Sequence, residues 1–200
     1  MQTLFESQLQ DIYWAEKELT RFMPEVVREV TSRELIEVLE DHMELTKKQV
    51  VRLEKVFEQL GSKARGEKCD AMEGLVKEAR KVIESSEKGI IRDAFIIGAV
   101  QKVEHYEVAS YGTLKSIATL IGEYDVASLL GETLEEEKEA DLDLTDVAEN
   151  IINVEASREA GELEDEEEDE MEDIIDEEDE GEEDDMDEPE GRSRSGSRRR

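Results

Sequence analysis

Ionisable side chains occupy positions in this 200-residue chain where hydrophobic periodicity calls for apolar ones. One inward series reads Leu130, Leu134, Glu137, Asp141, Leu144, and the series before it reads Ile97, Gln101, Glu104, Val108, Tyr111. A carboxylate on a core stripe is costly unless it is paired or binds a cation. The pattern occurs twice. A displacement of 88 residues lays Leu9 on Ile97, Ile12 on Val100, Ala15 on Val103 and Glu16 on Glu104. A displacement of 95 lays Leu35 on Leu130, Leu39 on Leu134, His42 on Glu137 and Thr46 on Asp141. Folding one half onto the other with near two-fold symmetry would converge Glu16, His42, Glu104, Glu137 and Asp141 on one region of the core. Hard oxygen ligands with an imidazole suit iron or manganese, and a pair of such ions is the usual occupant of a helical core built this way. The competing reading is a surface one: 41% of the residues are charged, so glutamates at helical spacing also arise as exposed i,i+4 ion-pair faces.

Helices must position these residues. Over residues 4–30 apolar side chains recur at helical spacing (Phe5, Leu9, Ile12, Ala15, Leu19, Val26), which predicts a first helix, with Pro24 removing one donor and kinking its last turns. Ser32 is placed to cap a second helix over about 33–60, stopped by Gly61. After a polar loop, Asp70 followed by Glu73 predicts the capped start of a short helix through Ile83. Two more long helices follow, over about 89–120 and 125–154, parted by a turn at Gly122. The loops within each pair are short and about 28 residues join the pairs, the topology of an all-α four-helix bundle with one long crossover carrying a short helix. Beyond Val154 periodicity fails, and Leu163, Met171, Ile174, Ile175 and Met186 are too few to offset the entropy of ordering that segment. The expected organisation is a helical bundle over 1–157 and a disordered acidic tail over 158–200 with a basic C-terminal end.

The formal net charge of −32 is uneven. Residues 161–190 hold 22 Asp and Glu with no Lys or Arg, and residues 191–200 hold five Arg, which leaves 35 acids and 20 bases in 1–160. Such charge repels polyanions and argues against nucleic-acid binding. RSRSGSRRR reads as a low-complexity patch beside an acid run, and the tail is better suited to cationic proteins or divalent ions. The single cysteine, Cys69, excludes an intramolecular disulfide framework and a cysteine-cluster metal site. The first 19 residues lack the basic start and apolar stretch of a secretory signal, and the longest apolar run, 94–100, is too short to span a bilayer. A cytoplasmic chain without membrane association is expected.

DIYWAEKEL (11–19), DHMELT (41–46) with Gln49, CDAMEGL (69–75), QKVEHYEVASYGTL (101–114) and LEEEKEAD (134–141) resemble the signatures of the YciF-like group of ferritin-like proteins. The resemblance covers about residues 3–153, is most specific in EHYE and CxAMxGL, and leaves the tail without a counterpart. It implies a ferritin-like bundle, a homodimer, a connection to bacterial and archaeal stress responses, and no assigned reaction. Carried over by position, it implies Glu16, His42, Glu104, Glu107, Glu137 and Asp141 as ligands of two iron or manganese ions. Glu107 joins the set because Glu104 and Glu107 form a Glu-x-x-Glu step in place of the Glu-x-x-His of other di-iron proteins. Leu39, three residues before His42, departs from the pattern: the second helix lacks Glu-x-x-His. Two functions follow. One is a metal protein of oxidoreductase type whose ions react with oxygen or peroxide, with Tyr13, Trp14, Tyr106 and Tyr111 near the site as electron carriers or as packing. The other is a non-catalytic stress scaffold whose acidic tail binds cationic partners. Adaptation to a high-salt cytosol is a broader account of the acidity, and the balance of Lys (12) and Arg (13) gives it modest support.

Overall fold

The computed structural model describes residues 1–161, so the expected tail lies, from residue 162 on, outside the described residues. Helix α1 (Gln2–Glu29) buries Phe5, Leu9, Ile12, Leu19, Phe22 and Val26 on one stripe and runs without a break through Pro24. Helix α2 (Arg33–Gln59) starts where Ser32, in extended backbone, accepts from the Leu35 amide at 3.3 Å. This satisfies one of the donors a helix start leaves free. Past its end Gly61 turns the chain at φ 66°, a left-handed conformation that costs glycine least. Helix α3 (Asp70–Glu84) differs from expectation at its start: the cap is Cys69, whose sulfur accepts from the Met72 amide at 3.3 Å. Cys69 is the last extended residue, so its side chain reaches the free amides, while Asp70 and Glu73 sit within the first turn and complement the helix dipole. Helices α4 (Ile90–Ile121) and α5 (Tyr124–Val147) are joined at Gly122, φ 87°. A π-helical turn, Ala148–Ile152, extends α5, and helical backbone continues to Gly161, past the boundary at 157 that hydrophobic periodicity suggests.

Packing closes the four long helices into a ring: α1 lies against α2, α2 against α5, α5 against α4 and α4 against α1. The crossover helix α3 packs on α4 and α1 from outside. The loop that brings it there is pinned to α1, with the Glu67 amide donating to the Gln10 carbonyl at 3.0 Å. Gly66 passes so close to Trp14 that an added Cβ would lie 3.0 Å from the Trp14 Cβ, so any side chain here would push loop and helix apart by a few tenths of an ångström. At the opposite end, two consecutive buried residues of α4 hold the connections. Asp93 accepts from the Thr31 amide and hydroxyl at 2.9 and 2.6 Å and from the Ser32 amide at 2.7 Å. Arg92 donates to the carbonyls of Ile83, Ser86 and Glu29 and to the Glu29 carboxylate. The interior is apolar at both ends of the bundle, with Phe22, Leu35 and Ile96 at one end and Phe5, Phe57 and Leu114 at the other all 2% exposed or less. Each such side chain contributes about 1.5–3 kcal/mol. At mid-length that apolar packing gives way to carboxylates.

Candidate metal centre

One turn from each long helix builds the polar layer. Helix α1 supplies Glu16, α2 His42, α4 Glu104 and Glu107, and α5 Glu137, all on the stripes that otherwise carry core residues. Glu16, Glu104 and Glu137 are wholly buried, Glu107 is 1% and His42 7% exposed. One ligand atom from each of His42, Glu104, Glu107 and Glu137 falls within 4.8 Å of the others. His42 Nε2 stands 3.3 Å from Glu104 Oε1. Glu16 adjoins this group: it acts electrostatically on Glu104 and Glu107, and Tyr111 donates its hydroxyl hydrogen to Glu16 Oε1. Asp141, on the same stripe as Glu137, is engaged elsewhere. It accepts from Gln101 at 3.2 Å and lies 3.1 Å from His105 Nε2, toward the outside of the α4–α5 pair.

The electrostatics are those of carboxylates crowded out of water. Burial, then the charge of Glu137, holds Glu16 and Glu104 well above the usual carboxylate range. Burial followed by the charges of Glu16, Glu137 and Glu104 does the same to Glu107. Glu137 is raised to about 7, chiefly by burial. His42 is lowered to about 4 by burial alone, which leaves a neutral imidazole with a free lone pair near neutral pH. Around this layer Arg52 of α2 clamps Glu136 of α5, with 2.7 Å from Nη2 to Oε1, and reaches Thr133 Oγ1 at 2.7 Å. Its positive charge eases ionisation of Glu16 and Glu137. Gln49 donates to Glu136 at 3.2 Å.

Acceptor atoms in this layer outnumber donors. Glu16 Oε2, both oxygens of Glu104 and Glu137, Glu107 Oε1, Gln49 Oε1 and His42 Nδ1 are buried without a hydrogen-bond partner among the described residues. Ionised, these carboxylates are acceptors only and cannot satisfy one another; each proton retained by a raised carboxyl supplies one donor and leaves most of the oxygens unmatched. A buried polar atom without a partner costs about 1–3 kcal/mol, more when charged. The residues fit a divalent cation, or two, which would meet carboxylate lone pairs and an imidazole nitrogen together.

The family described as a domain of unknown function, DUF892, matches residues 1–157. The chain belongs to this family. It is 46% identical over 161 residues to protein YciF of Escherichia coli strain K12, a match spanning 80% of this chain and 97% of that protein. The crystal structure of that E. coli stress protein superposes with a TM-score of 0.73 at 47% identity, over 76% of this chain and 96% of the other. YcfI from Rhodopseudomonas palustris superposes with a TM-score of 0.70 at 41% identity, over 72% and 92%. The YciF-like resemblance of the motifs and the ferritin-like, all-helical architecture are thereby established. Among the described residues no helix is long and apolar enough to cross a membrane.

Of the aromatic residues near the layer in sequence, only Tyr111 touches it. Tyr13 donates to Glu54 at 2.9 Å and stacks edge-on to Phe57, Trp14 backs the loop at Gly66, and Tyr106 bridges Asp11 and Cys69. Arg52 and Glu136 escape sequence reasoning. Both look like members of solvated charge runs, and only the crossing of α2 with α5 brings them together.

Proposed function

We propose that this protein is a stress-associated bundle whose core binds divalent metal, two iron or manganese ions, through His42, Glu16, Glu104, Glu107 and Glu137. Asp141 stands next to the set. The observation that carries the reading is the row of buried, partnerless carboxylate oxygens facing a neutral imidazole. A pair of such ions would supply redox chemistry toward oxygen or peroxide. The chain's own part is to hold the carboxylates in place: Tyr111 fixes Glu16, Arg52 fixes the turn of α5 that carries Glu137, and Thr46 bonds back to the His42 carbonyl at 3.0 Å. Apolar packing flanks the layer toward both ends of the bundle.

Anaerobic titration of metal-free protein with ferrous or manganous ion, read by elemental analysis, tests this. About two ions per chain are expected from the paired geometry of such bundles, and Glu104→Gln or Glu137→Gln should abolish tight uptake. Full uptake by both variants would refute the placement. A second reading is a scaffold without bound metal. It is favoured by the upward shift of all four carboxyl groups, which lets them persist uncharged, and by Leu39 where a second-helix carboxylate is missing. In that reading the acid run 161–190 attracts cationic proteins, or divalent ions held weakly and released by salt. Division of the chain into a bundle over 1–157 and a tail, a cytoplasmic setting, and a homodimer, which light scattering would count, belong to the same proposal.

A further inference from the structure

A cavity of about 310 Å³ opens between α2 and α5 and ends at the polar layer. Leu39, Val100, Ala140 and Leu144 form its walls. Its mouth carries five carboxylates, Asp41, Glu44, Glu136, Glu139 and Asp143, against the single cation Lys48. Two of the five are already engaged, Glu136 with Arg52 and Glu44 with Lys47. Asp41, Glu139 and Asp143 are exposed and make no ion pair among the described residues. At the inner end stands His42, 7% exposed, which lines the cavity with Nδ1 unpartnered while Nε2 lies 3.3 Å from Glu104. One imidazole thus borders both the cavity and the carboxylate cluster.

We propose that this cavity is the route by which hydrated divalent cations reach the core, with Asp41, Glu139 and Asp143 gathering them at the mouth and His42 the first ligand they meet. The proposal rests on the metal-binding reading above. Size permits it: six waters at about 30 Å³ each need roughly 180 Å³. So does the field, because charges of one sign around a low-dielectric opening raise local counter-ion concentration and association rates by about 10- to 1,000-fold. The recess on the far side of α5 offers less. There Asp141 is held by Gln101 and His105, and Lys138 adds a positive charge.

The test is anaerobic stopped-flow uptake of manganous or ferrous ion by the metal-free full-length protein, with ions per chain measured at the end. The rim variant Asp41→Asn/Glu139→Gln/Asp143→Asn should load about tenfold more slowly and show a weaker dependence on salt. Ala140→Leu, which narrows the cavity without changing charge, should also slow loading but keep the parent's salt dependence. Both should reach the parent's ions per chain. Parental rates in both variants at unchanged stoichiometry would overturn the route and leave the metal centre standing. Loss of stoichiometry in the rim variant would make those carboxylates ligands and also overturn the route. A parent that takes up no ion would refute the metal reading, and the route with it.

Discussion

Replacing Glu137 by glutamine in the metal-free protein should stabilise it, by an amount that depends on pH. Glu137 is raised from 4.5 to about 7, chiefly because it is buried. A shift of about 2.5 units at 1.36 kcal/mol per unit is worth about 3 kcal/mol. The sign follows from which state holds the proton more tightly. That is the folded protein, so the contribution to stability is fully present below about pH 4.5 and is lost as pH rises through about 7. Glutamine cannot ionise. Parent and Glu137→Gln should therefore have similar stability near pH 4.5 and diverge by about 3 kcal/mol at about pH 8, a difference of roughly 6–12 °C in Tm for a chain of this size. His42 works in the other direction, its burial costing more as pH falls from 6.5 toward about 4, but it is common to both proteins and cancels in the difference. The assay is calorimetric or urea unfolding with a chelator present, across about pH 4.5–8. Added manganous ion should reverse the order, since a ligand at about 1,000 times its Kd stabilises the parent by about 4.1 kcal/mol, more than the difference of about 3 kcal/mol. A pH-independent difference, or a variant less stable than the parent at about pH 8, would refute the argument that an unmatched buried charge strains the metal-free core.

Three further outcomes are expected. Arg52→Met should cost about 2 kcal/mol in urea unfolding, because Glu136 loses a two-pronged charged partner in a half-buried setting. Asp93→Ala should cost about 2 kcal/mol by the same measurement; it strips the acceptor from the Thr31 and Ser32 amides, and the figure is held down because Thr31 is exposed and water replaces part of the loss. A fragment ending at Gly161 should keep the thermal midpoint of the full chain, since among the described residues the last buried core side chain is Ile152; a fall of several degrees would show that residues beyond 161 support the bundle.

The helices and most of the polar layer were legible because both rest on periodicity. A stripe interrupted at Glu16, Glu104 and Glu137 states which face is inward and where it turns polar, and the two displacements place those interruptions at matching depth. Glu107 shows the limit of that symmetry. The displacement of 88 lays it on Leu19, so spacing alone gives it an apolar counterpart, and it entered only through the family resemblance. Asp141 shows another limit. Its stripe position is right, but its carboxylate turns to Gln101 and His105, a choice set by how α4 and α5 cross. Cys69 shows in the sequence only as a single thiol, and its capping role depends on a backbone conformation one residue before the acid pair that resembles a cap.

The clamp of Arg92 and Asp93 bears on how the two halves depend on each other. The repeat suggests that a hairpin was duplicated, and a free-standing hairpin would need its own way to satisfy the turn between its helices. Among the described residues, the amides at Thr31 and Ser32, and the side-chain partner of the Glu29 carbonyl, are met from the first turn of the second hairpin. The first hairpin made alone would thus keep its apolar stripe but lack a finished corner. Fragments 1–60 and 61–161 should each be poorly ordered in isolation and gain helicity on mixing, so that the ancestral symmetry survives in the sequence while the folding unit has become the whole bundle.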